Sequence, residues 1–571
     1  MSTPPPHSEA GLRRAEPAPR PTLLSREEEA EQTLGNSEFG AGARALLVGG
    51  FLAVMLLVPV MQVVAEARAH GLGGRWPMLG VLRVLPSLAE VRAVRSLSGL
   101  WALVPHAERI KAAEKQLEKE SVLALGLRPR VQEFCTGVLG AGSEQALPGS
   151  GGWLFYRPDV EYVTGPAFLD GARQLQRRRE AGVQPDPMAA IVDFRDQLKR
   201  RGIELWVVPV PVKPCVEGRH FGAESERVLH NASFGEFCAR MERAGVRMFD
   251  VGAELERVRV KTGGGPLYLE ADTHWRPETM RAVAEALAVR IDPQALGVGS
   301  GGTREAALLE KRVSGMGDTV ALLGLASTQT RYRAQEVTIW QVPQGSGLWR
   351  PSPSADVLLL GDSFANLYSM EAMGWGEGAG FAEHLSRGLG RPVDAIVRNS
   401  DGAFATRELL ARELRQGRDR LAGKKVVVWE FAARELAFGD WKLLALELGQ
   451  RAESRFLSVE AGREVSVEAT VASVSVVPRP GSVPYSEHIL TAHLVDLASG
   501  GGTRGADALV CVWSMRGQQW TAAARWRAGD RVRLRVRAWG DVAGRYEKIN
   551  RSELSDAVLQ LEEPLWGELE P

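Results

Sequence analysis

Two short stretches of this 571-residue chain carry side chains whose types and spacing suit acyl chemistry. The first is Asp272-Thr273-His274-Trp275. In extended backbone, residues i and i+2 point the same way, so Asp272 can accept a hydrogen bond from one imidazole nitrogen of His274. That bond fixes the tautomer and leaves the other nitrogen as a general base. The second is VLLLGDSFAN, residues 357–366. An apolar strand pattern ends there in Gly361-Asp362-Ser363, and ligands of open α/β sheets bind beyond the carboxyl ends of strands. Ser363 at a tight strand-to-helix turn is placed as a nucleophile, with backbone N–H groups near an oxyanion. Each stretch has a plainer alternative. Ser363 could cap a helix, and Asp272 could cap the helix that Pro277 opens while His274 sits satisfied in a loop. Together they supply nucleophile, base and orienter, and serine is a poor nucleophile without a base. His220, His230, His384, His488 and His493 lack such a carboxylate neighbour. None of them pairs with metal-ligand spacing, so no metal site is expected. The glycine runs at 263–265 and 299–302 are not followed by GK[ST] and read as loops.

The elements that must position these residues follow from apolar periodicity. Buried-strand candidates lie at 203–210, 246–252, 356–362, 393–399 and 425–431. Helical segments lie between them at Met188–Arg201, Glu224–Ala244, Glu278–Arg290, Gly378–Leu389 and Thr406–Leu421. Alternating strands and helices with near-continuous apolar strands predict an α/β domain over 150–450, a parallel sheet covered by helices on both faces. Beyond residue 455 the texture becomes strand-like alternation at 463–477, 488–497, 508–515 and 531–539. That predicts a small all-β domain over 455–571, an OB-like barrel or a sandwich. Lys+Arg and Asp+Glu are both 70, so a global polyanion-binding surface is excluded while local patches stay open. Four cysteines in so long a chain exclude a disulfide-built scaffold, and without a CxxC pair no structural zinc site is expected. Cys215 and Cys238 either bridge in an oxidising compartment or remain free thiols.

Residues 1–44 are rich in proline and charge and read as a disordered cytoplasmic tail. From Ala45 to Ala65 the chain is uncharged and apolar, enough to cross a bilayer core of about 30 Å. Its length exceeds that of a signal-peptide core, so an uncleaved transmembrane signal anchor is expected. Residues 66–149 read as a helical spacer.

Several motifs share one resemblance. GDSF after a buried strand resembles the first block of the SGNH esterase/acyltransferase superfamily. DTHW followed by proline resembles the Asp-x-His block of the periplasmic alginate O-acetyltransferase family. GGWLFYRPDVEYVTG (151–165), VVPVPVKPCV (207–216) and VVVWEFAARELAFGDW (426–441) fit the same family, and the resemblance covers about 150–445. The order, Asp-x-His before Ser, is reversed from ordinary SGNH esterases and agrees with that family. The resemblance implies Ser363 as nucleophile, His274 as base and Asp272 as its orienter. It implies Ser363 N–H as one oxyanion donor. Asn399 is the candidate for the other, with a turn role as its alternative. It implies a membrane-anchored O-acetyltransferase acting on an exported polysaccharide through an acyl-serine, without a bound cofactor. The catalytic domain would be periplasmic, held at the inner membrane by one span, and a multispanning membrane acyltransferase would deliver the acetyl group. The rival readings are a polysaccharide acetylesterase with the same triad and a non-catalytic glycan-binding envelope protein.

In the C-terminal domain Arg531, Arg533, Arg535 and Arg537 alternate with apolar residues, and Trp513, Trp520, Trp526 and Trp539 are near in sequence. Four guanidinium groups demand solvent or partners, so this strand is a candidate carbohydrate-binding face for an anionic polymer. A membrane-anchored, extracytoplasmic setting argues against nucleic acid as the partner.

Overall fold

The structure is a computed structural model. It describes residues 40–70, 110, 111, 114, 117, 121–181, 183–222, 227–291, 307–326, 328–399, 402–449, 456–481, 483, 485–499, 507–554, 556 and 559–570. Residues 1–39 of the tail expected over 1–44, and most of the expected spacer before residue 121, lie outside these, whereas residues 41–44 of that tail are helical. The chain divides into two units, residues 1–127 and 128–571.

In the first unit, helix α1 (Ala41–His70) contains the expected apolar span. Its stretch Ala41–Arg68 is 28 residues with a mean hydropathy of 2.4, long and apolar enough to cross a membrane. Most of its large apolar side chains between Leu46 and Val64 are exposed.

A helix over Val122–Val138 includes the boundary between the units, and the second unit continues with a small antiparallel pair, Ala146–Pro148 with Leu154–Tyr156. The folded domain thus begins slightly before residue 150. Helix α2 (Pro187–Arg200) is opened by Pro187, and the Asp186 side chain accepts from Met188 N–H at 2.9 Å. Strand β1 (Glu204–Val210) follows. The strand expected over 246–252 shortens to β2 (Arg247–Met248), because Asp250 accepts from Ala253 N–H at 2.9 Å and starts helix α3 (Val251–Lys261). Next come α4 (Pro277–Arg290), β3 (Val357–Gly361), α5 (Phe381–Leu389), β4 (Asp394–Val397), α6 (Gly402–Arg415) and β5 (Val426–Ala432). The sheet order is β4-β3-β5-β1-β2, and every pairing is parallel. All seven residues of β5 are buried, as a parallel strand covered on both faces requires.

Three helix boundaries differ from expectation. The helix expected from Glu224 begins at Phe234. Before it, Asn231 Oδ1 accepts from Ser233 N–H, and its Nδ2 donates to the Tyr162 and Pro166 carbonyls, which holds that backbone in a turn. Helix α6 runs over 402–415 rather than 406–421. It stops because Gly417 takes a left-handed conformation, φ 76°. Helix α5 starts three residues late, after the extended Gly380. An antiparallel pair with no clear sequence signal, Leu309–Gly315 with Gln335–Gln341, is inserted between α4 and β3. Cys215 and Cys238 are free thiols.

The C-terminal domain contains β6 (Glu464–Val474), β7 (His488–Ser499), β8 (Ala508–Arg516), β9 (Arg531–Ala538) and β10 (Leu565–Leu569). Pairings β6–β7, β7–β8, β8–β10, β10–β9 and β9–β6 close a five-stranded barrel, with only β8–β10 parallel among them. This is the OB-like alternative of the two anticipated. Val532, Leu534 and Val536 point into its core. Arg531, Arg533 and Arg535 are exposed and Arg537 is half-buried. The face they form is charge-balanced, however. Arg533 pairs with Glu468, Arg535 with Glu464 at 3.7 Å and Glu570 at 3.5 Å, and Arg537 with Glu464 at 3.3 Å and with Glu568. Strand register on the neighbouring β6 and β10 brings these glutamates beside Arg533, Arg535 and Arg537. Trp526 is buried, and Trp513 and Trp539 pack with Trp566, whereas Trp520 is exposed.

Candidate active site

β3 ends at Gly361, and the chain turns at once into a four-residue helix, Ser363–Asn366. The cap of this helix is Asp362, which accepts from Phe364 N–H at 2.8 Å and from Ala432 N–H, at the end of β5, at 2.8 Å. Ser363 is thereby relieved of the capping role. Its hydroxyl lies 2.9 Å from His274 Nε2.

His274 sits on a tight turn whose ends are tied by a Tyr268–Trp275 bridge and by Leu269 N–H donating to the His274 carbonyl. Asp272 does not cap α4; the residue before that helix is Arg276, in extended backbone. Instead Asp272 Oδ1 lies 2.6 Å from His274 Nδ1 and accepts from His274 N–H at 3.1 Å. Asp272 Oδ2 accepts from Trp375 Nε1–H at 2.8 Å and Asp318 N–H at 3.0 Å. Four donors on one buried carboxylate leave the Nδ1–H tautomer as the consistent one, with Nε2 turned to Ser363. Burial pushes the Asp272 carboxyl up, but hydrogen bonds and charge from His274, with Trp375 and Asp318 helping, hold it below its ordinary value. Burial pulls the His274 imidazole down, and the hydrogen bond and charge of Asp272 reverse this, so its pKa is raised.

The turn is braced from two sides by residues that sequence reasoning did not single out. Buried Lys213 donates to the carbonyls of Leu154 at 2.5 Å, Glu270 at 2.7 Å and Asp272 at 3.0 Å, and lies against the Trp153 and Phe155 rings. Burial lowers its pKa to about 7. Asp318 accepts from Thr273 N–H at 2.7 Å and Thr273 Oγ1–H at 2.6 Å, and its Oδ2 lies 3.8 Å from His274 Nδ1. Burial and the Asp272 charge raise Asp318 to about 6. Gly317, φ 83°, lets this carboxylate approach, since a Cβ there would lie 1.9 Å from the Ala271 carbonyl oxygen. Asp272, His274 and Asp318 are also the one grouping of metal-ligand type among the described residues. Their near atoms already face one another or Thr273 as hydrogen-bond partners. Trp275 links the two halves of the site: its Nε1–H donates to the Phe364 carbonyl at 3.1 Å, and its own carbonyl accepts from Tyr368 at 2.6 Å.

His274 and Ser363 open onto a cavity of about 290 Å³. Asn399 is among the residues that line it. Its Oδ1 accepts from Asn366 Nδ2 at 2.9 Å, and its Nδ2 donates to the Lys548 carbonyl at 3.3 Å. Val483 and Tyr485, from the loop before β7 of the barrel, close part of the rim. The Arg531–Arg537 strand does not line this cavity. Lys213 and Arg434 fall inside the 207–216 and 426–441 motifs, where their roles were open to notice. Asp318 and Trp375 had no periodic or spacing signal.

A parallel α/β sheet that presents serine, histidine and aspartate in one hydrogen-bonded chain beyond its strand ends defines an SGNH hydrolase-like domain. Residues 146–433 match the family described as the SGNH hydrolase-like domain of acetyltransferase AlgX, and the chain belongs to that family. Among relatives, the probable alginate O-acetylase AlgJ of Pseudomonas aeruginosa is 29% identical over 150 residues, 26% of this chain and 34% of the relative. The probable alginate O-acetylase AlgJ of Pseudomonas putida is 31% identical over 144 residues, 25% of this chain and 33% of the relative. The match thus spans about a third of the length of these relatives. Among solved structures, the O-acetyltransferase domain of Pseudomonas putida AlgJ aligns with a TM-score of 0.38 at 24% identity, over 51% of this chain and 92% of that one. Pseudomonas aeruginosa AlgX aligns with a TM-score of 0.33 at 17% identity, over 69% and 91%.

Proposed function

We propose that this chain is a membrane-anchored O-acetyltransferase that transfers acetyl groups to polysaccharide hydroxyls through acetyl-Ser363. The observation that carries this reading is the unbroken chain from Ser363 Oγ to His274 Nε2 at 2.9 Å and from His274 Nδ1 to Asp272 at 2.6 Å. It is supported by family membership and by the names of the O-acetylase relatives.

Ser363 Oγ attacks the carbonyl carbon of the donor's acetyl group while its proton passes to His274 Nε2. The bond to the donor's leaving group breaks, and that group takes the proton from His274, which leaves acetyl-Ser363. A sugar hydroxyl then gives its proton to Nε2 and attacks the same carbon. The bond to Ser363 Oγ breaks and the serine recovers the proton. Asp272 holds the imidazole in the tautomer both steps need and stabilises the transient imidazolium. The Ser363 N–H donates to the oxyanion. Asn399 is the candidate second donor, because its Nδ2 keeps one hydrogen beyond the bond to Lys548.

In this reading α1 anchors the protein in the cytoplasmic membrane, the catalytic domain faces the periplasm, and a multispanning membrane acyltransferase supplies the acetyl group. The test is detergent-solubilised full-length protein with p-nitrophenyl acetate and a panel of oligosaccharides, read by mass spectrometry of the sugar. O-acetylated sugar from the parent and none from Ser363→Ala is expected. Acetylated sugar at equal rate from Ser363→Ala, or acetate as the sole product, contradicts the proposal.

A further inference from the structure

The motif over 426–441 contains an acid that the transfer steps do not use. Glu430 interrupts the apolar run of β5 and is only 1% exposed. An acid in a strand covered on both faces needs a partner or a proton. The paired register of β5 with β3 ends at Trp429 and Leu360, and side chains take over from the ladder there. Glu430 Oε2 accepts from Asp362 N–H at 3.1 Å, and Asp362 Oδ2 accepts in return from Ala432 N–H at 2.8 Å. Asp362 Oδ1 accepts from Phe364 N–H at 2.8 Å. These three bonds hold the residue just before Ser363 through both its backbone and its side chain. Gly361 makes room for the acid: a Cβ there would lie 3.2 Å from Glu430 Oε2 and 2.7 Å from the Ala365 Cβ.

We infer that Glu430 is a protonated acid that shares its proton with Asp362 and thereby positions the Ser363 turn, an inference that rests on the acetyl-Ser363 reading. The Glu430 and Asp362 side chains are hydrogen-bonded to each other. Two ionised carboxylates have no proton to place between them, so one of the pair carries one. Both Asp362 oxygens already accept backbone N–H groups, which marks Asp362 as the ionised member. On Glu430 only Oε2 accepts, and no donor among the described residues reaches buried Oε1, so the proton belongs to Glu430. Burial, then the Asp362 charge, push the Glu430 carboxyl well above its ordinary value, and the bond from Asp362 N–H and the Arg434 charge do not offset them. The charges that bear on Glu430 are thus Asp362, from the turn after β3, and Arg434, from the segment after β5. Its register partner on β1 is the uncharged Val208. Arg434 is divided among other acids, with Asp159 at 2.9 Å and Glu435 at 3.9 Å. Loss of the shared proton would set two negative charges against each other at the turn. Because Asp362 caps the helix that starts at Ser363, the hydroxyl would then lose its 2.9 Å setting against His274.

The test uses the full-length protein in detergent and two variants, Glu430→Gln and Glu430→Leu. Glutamine keeps an oxygen for Asp362 N–H and an N–H for the Asp362 carboxylate, and it does not titrate. Infrared difference spectra between the parent and Glu430→Gln at about pH 8 read the proton directly, since ordinary carboxyls are ionised there. A carboxylic-acid C=O band present in the parent and absent from Glu430→Gln is expected. The p-nitrophenolate burst with p-nitrophenyl acetate, which reports acetyl-serine formation, reads the positioning. Glu430→Gln should keep the parent's burst rate at neutral pH and hold it at alkaline pH, where the parent's rate falls. Glu430→Leu should be slower at least about tenfold, as a misplaced nucleophile is. Absence of the band difference overturns the inference. A full-rate burst from Glu430→Leu, or a Glu430→Gln burst as slow as that of Glu430→Leu, overturns the positioning role. The alkaline comparison of parent and Glu430→Gln holds even where Glu430→Leu does not fold, and equal rates there overturn the role as well. No burst from the parent overturns the acetyl-serine reading and the positioning of that serine with it, while the infrared band still decides the proton.

Discussion

Replacing Asp318 with asparagine separates what its charge does from what its hydrogen bonds do. Asparagine keeps an oxygen for Thr273 N–H and presents an amide to Thr273 Oγ1, while the link from Asp318 N–H to Asp272 is backbone and persists. What disappears is a negative charge 3.8 Å from His274 Nδ1. At an effective dielectric of ~20, unit charges that close interact by about 4 kcal/mol, an upper bound on what the imidazolium loses. With Asp272 still in place, a loss of about 1–3 kcal/mol in the transition state is expected, or roughly ten- to hundredfold in the acylation rate. Stability should move the other way. The folded-state pKa of Asp318 is about 6, against ~3.9 for a free carboxyl. A carboxyl with a raised folded pKa costs stability once it ionises: the parent loses stability as pH rises from ~4 through ~6, by about 3 kcal/mol in all. Asparagine does not titrate and escapes that loss. Weaker bonds to Thr273 take back ~1–2 kcal/mol. The variant should therefore melt a few degrees above the parent at pH 8, lose that advantage near pH 4, and acylate more slowly. Differential scanning calorimetry at both pH values and the p-nitrophenolate burst provide the readouts. A variant that melts below the parent at pH 8 and keeps its full burst rate would refute this account of Asp318.

Three further expectations follow from the same geometry. Trp375→Phe removes one charge-assisted hydrogen bond to Asp272 and should lower kcat about tenfold with little change in KM, since such a bond contributes ~1.5–3 kcal/mol; unchanged kcat would count against Trp375 as a positioning residue. The raised pKa of His274 means its neutral, basic form dominates only at higher pH, so the acid limb of kcat/KM should have its midpoint above the ordinary value of ~6.5. A midpoint near pH 5 would contradict this. Lys213→Met removes three hydrogen bonds, to the carbonyls of Leu154, Glu270 and Asp272, of which Glu270's keeps another donor, Leu154 N–H. A loss of about 3 kcal/mol in urea unfolding is expected, at ~1 kcal/mol per bond, and a loss below about 0.5 kcal/mol would be inconsistent with it.

The pair Asp272/His274 was legible because its geometry is local: an i, i+2 spacing decides it without knowledge of the fold. Ser363 was legible because an apolar run marks β3 and the glycine after it marks the turn. The strand cores of the sheet could be read for the same reason, as buried parallel strands leave near-continuous apolar runs. Legibility ended where a contact is long-range. Asp318 and Trp375 reach Asp272 from 46 and 103 positions away, and no pattern around either residue announces that approach. Boundaries failed where one side chain overrides periodicity, as Asp250 does by starting α3 and Asn231 does by delaying the helix at Phe234. The arginine strand was read with the right exposure and an incomplete environment. Its glutamate partners sit on β6 and β10, and register across a barrel is not visible in one strand.

The central claim is that Ser363 carries the acetyl group, and the most direct measurement is rapid acid quench of the protein with p-nitrophenyl acetate, followed by proteolysis and mass spectrometry. One acetyl group on the peptide containing Ser363, absent from His274→Ala quenched at the same early time, is the predicted result. A peptide that stays unmodified in the parent while p-nitrophenolate is released, or an acetyl group found only on another residue, would contradict it.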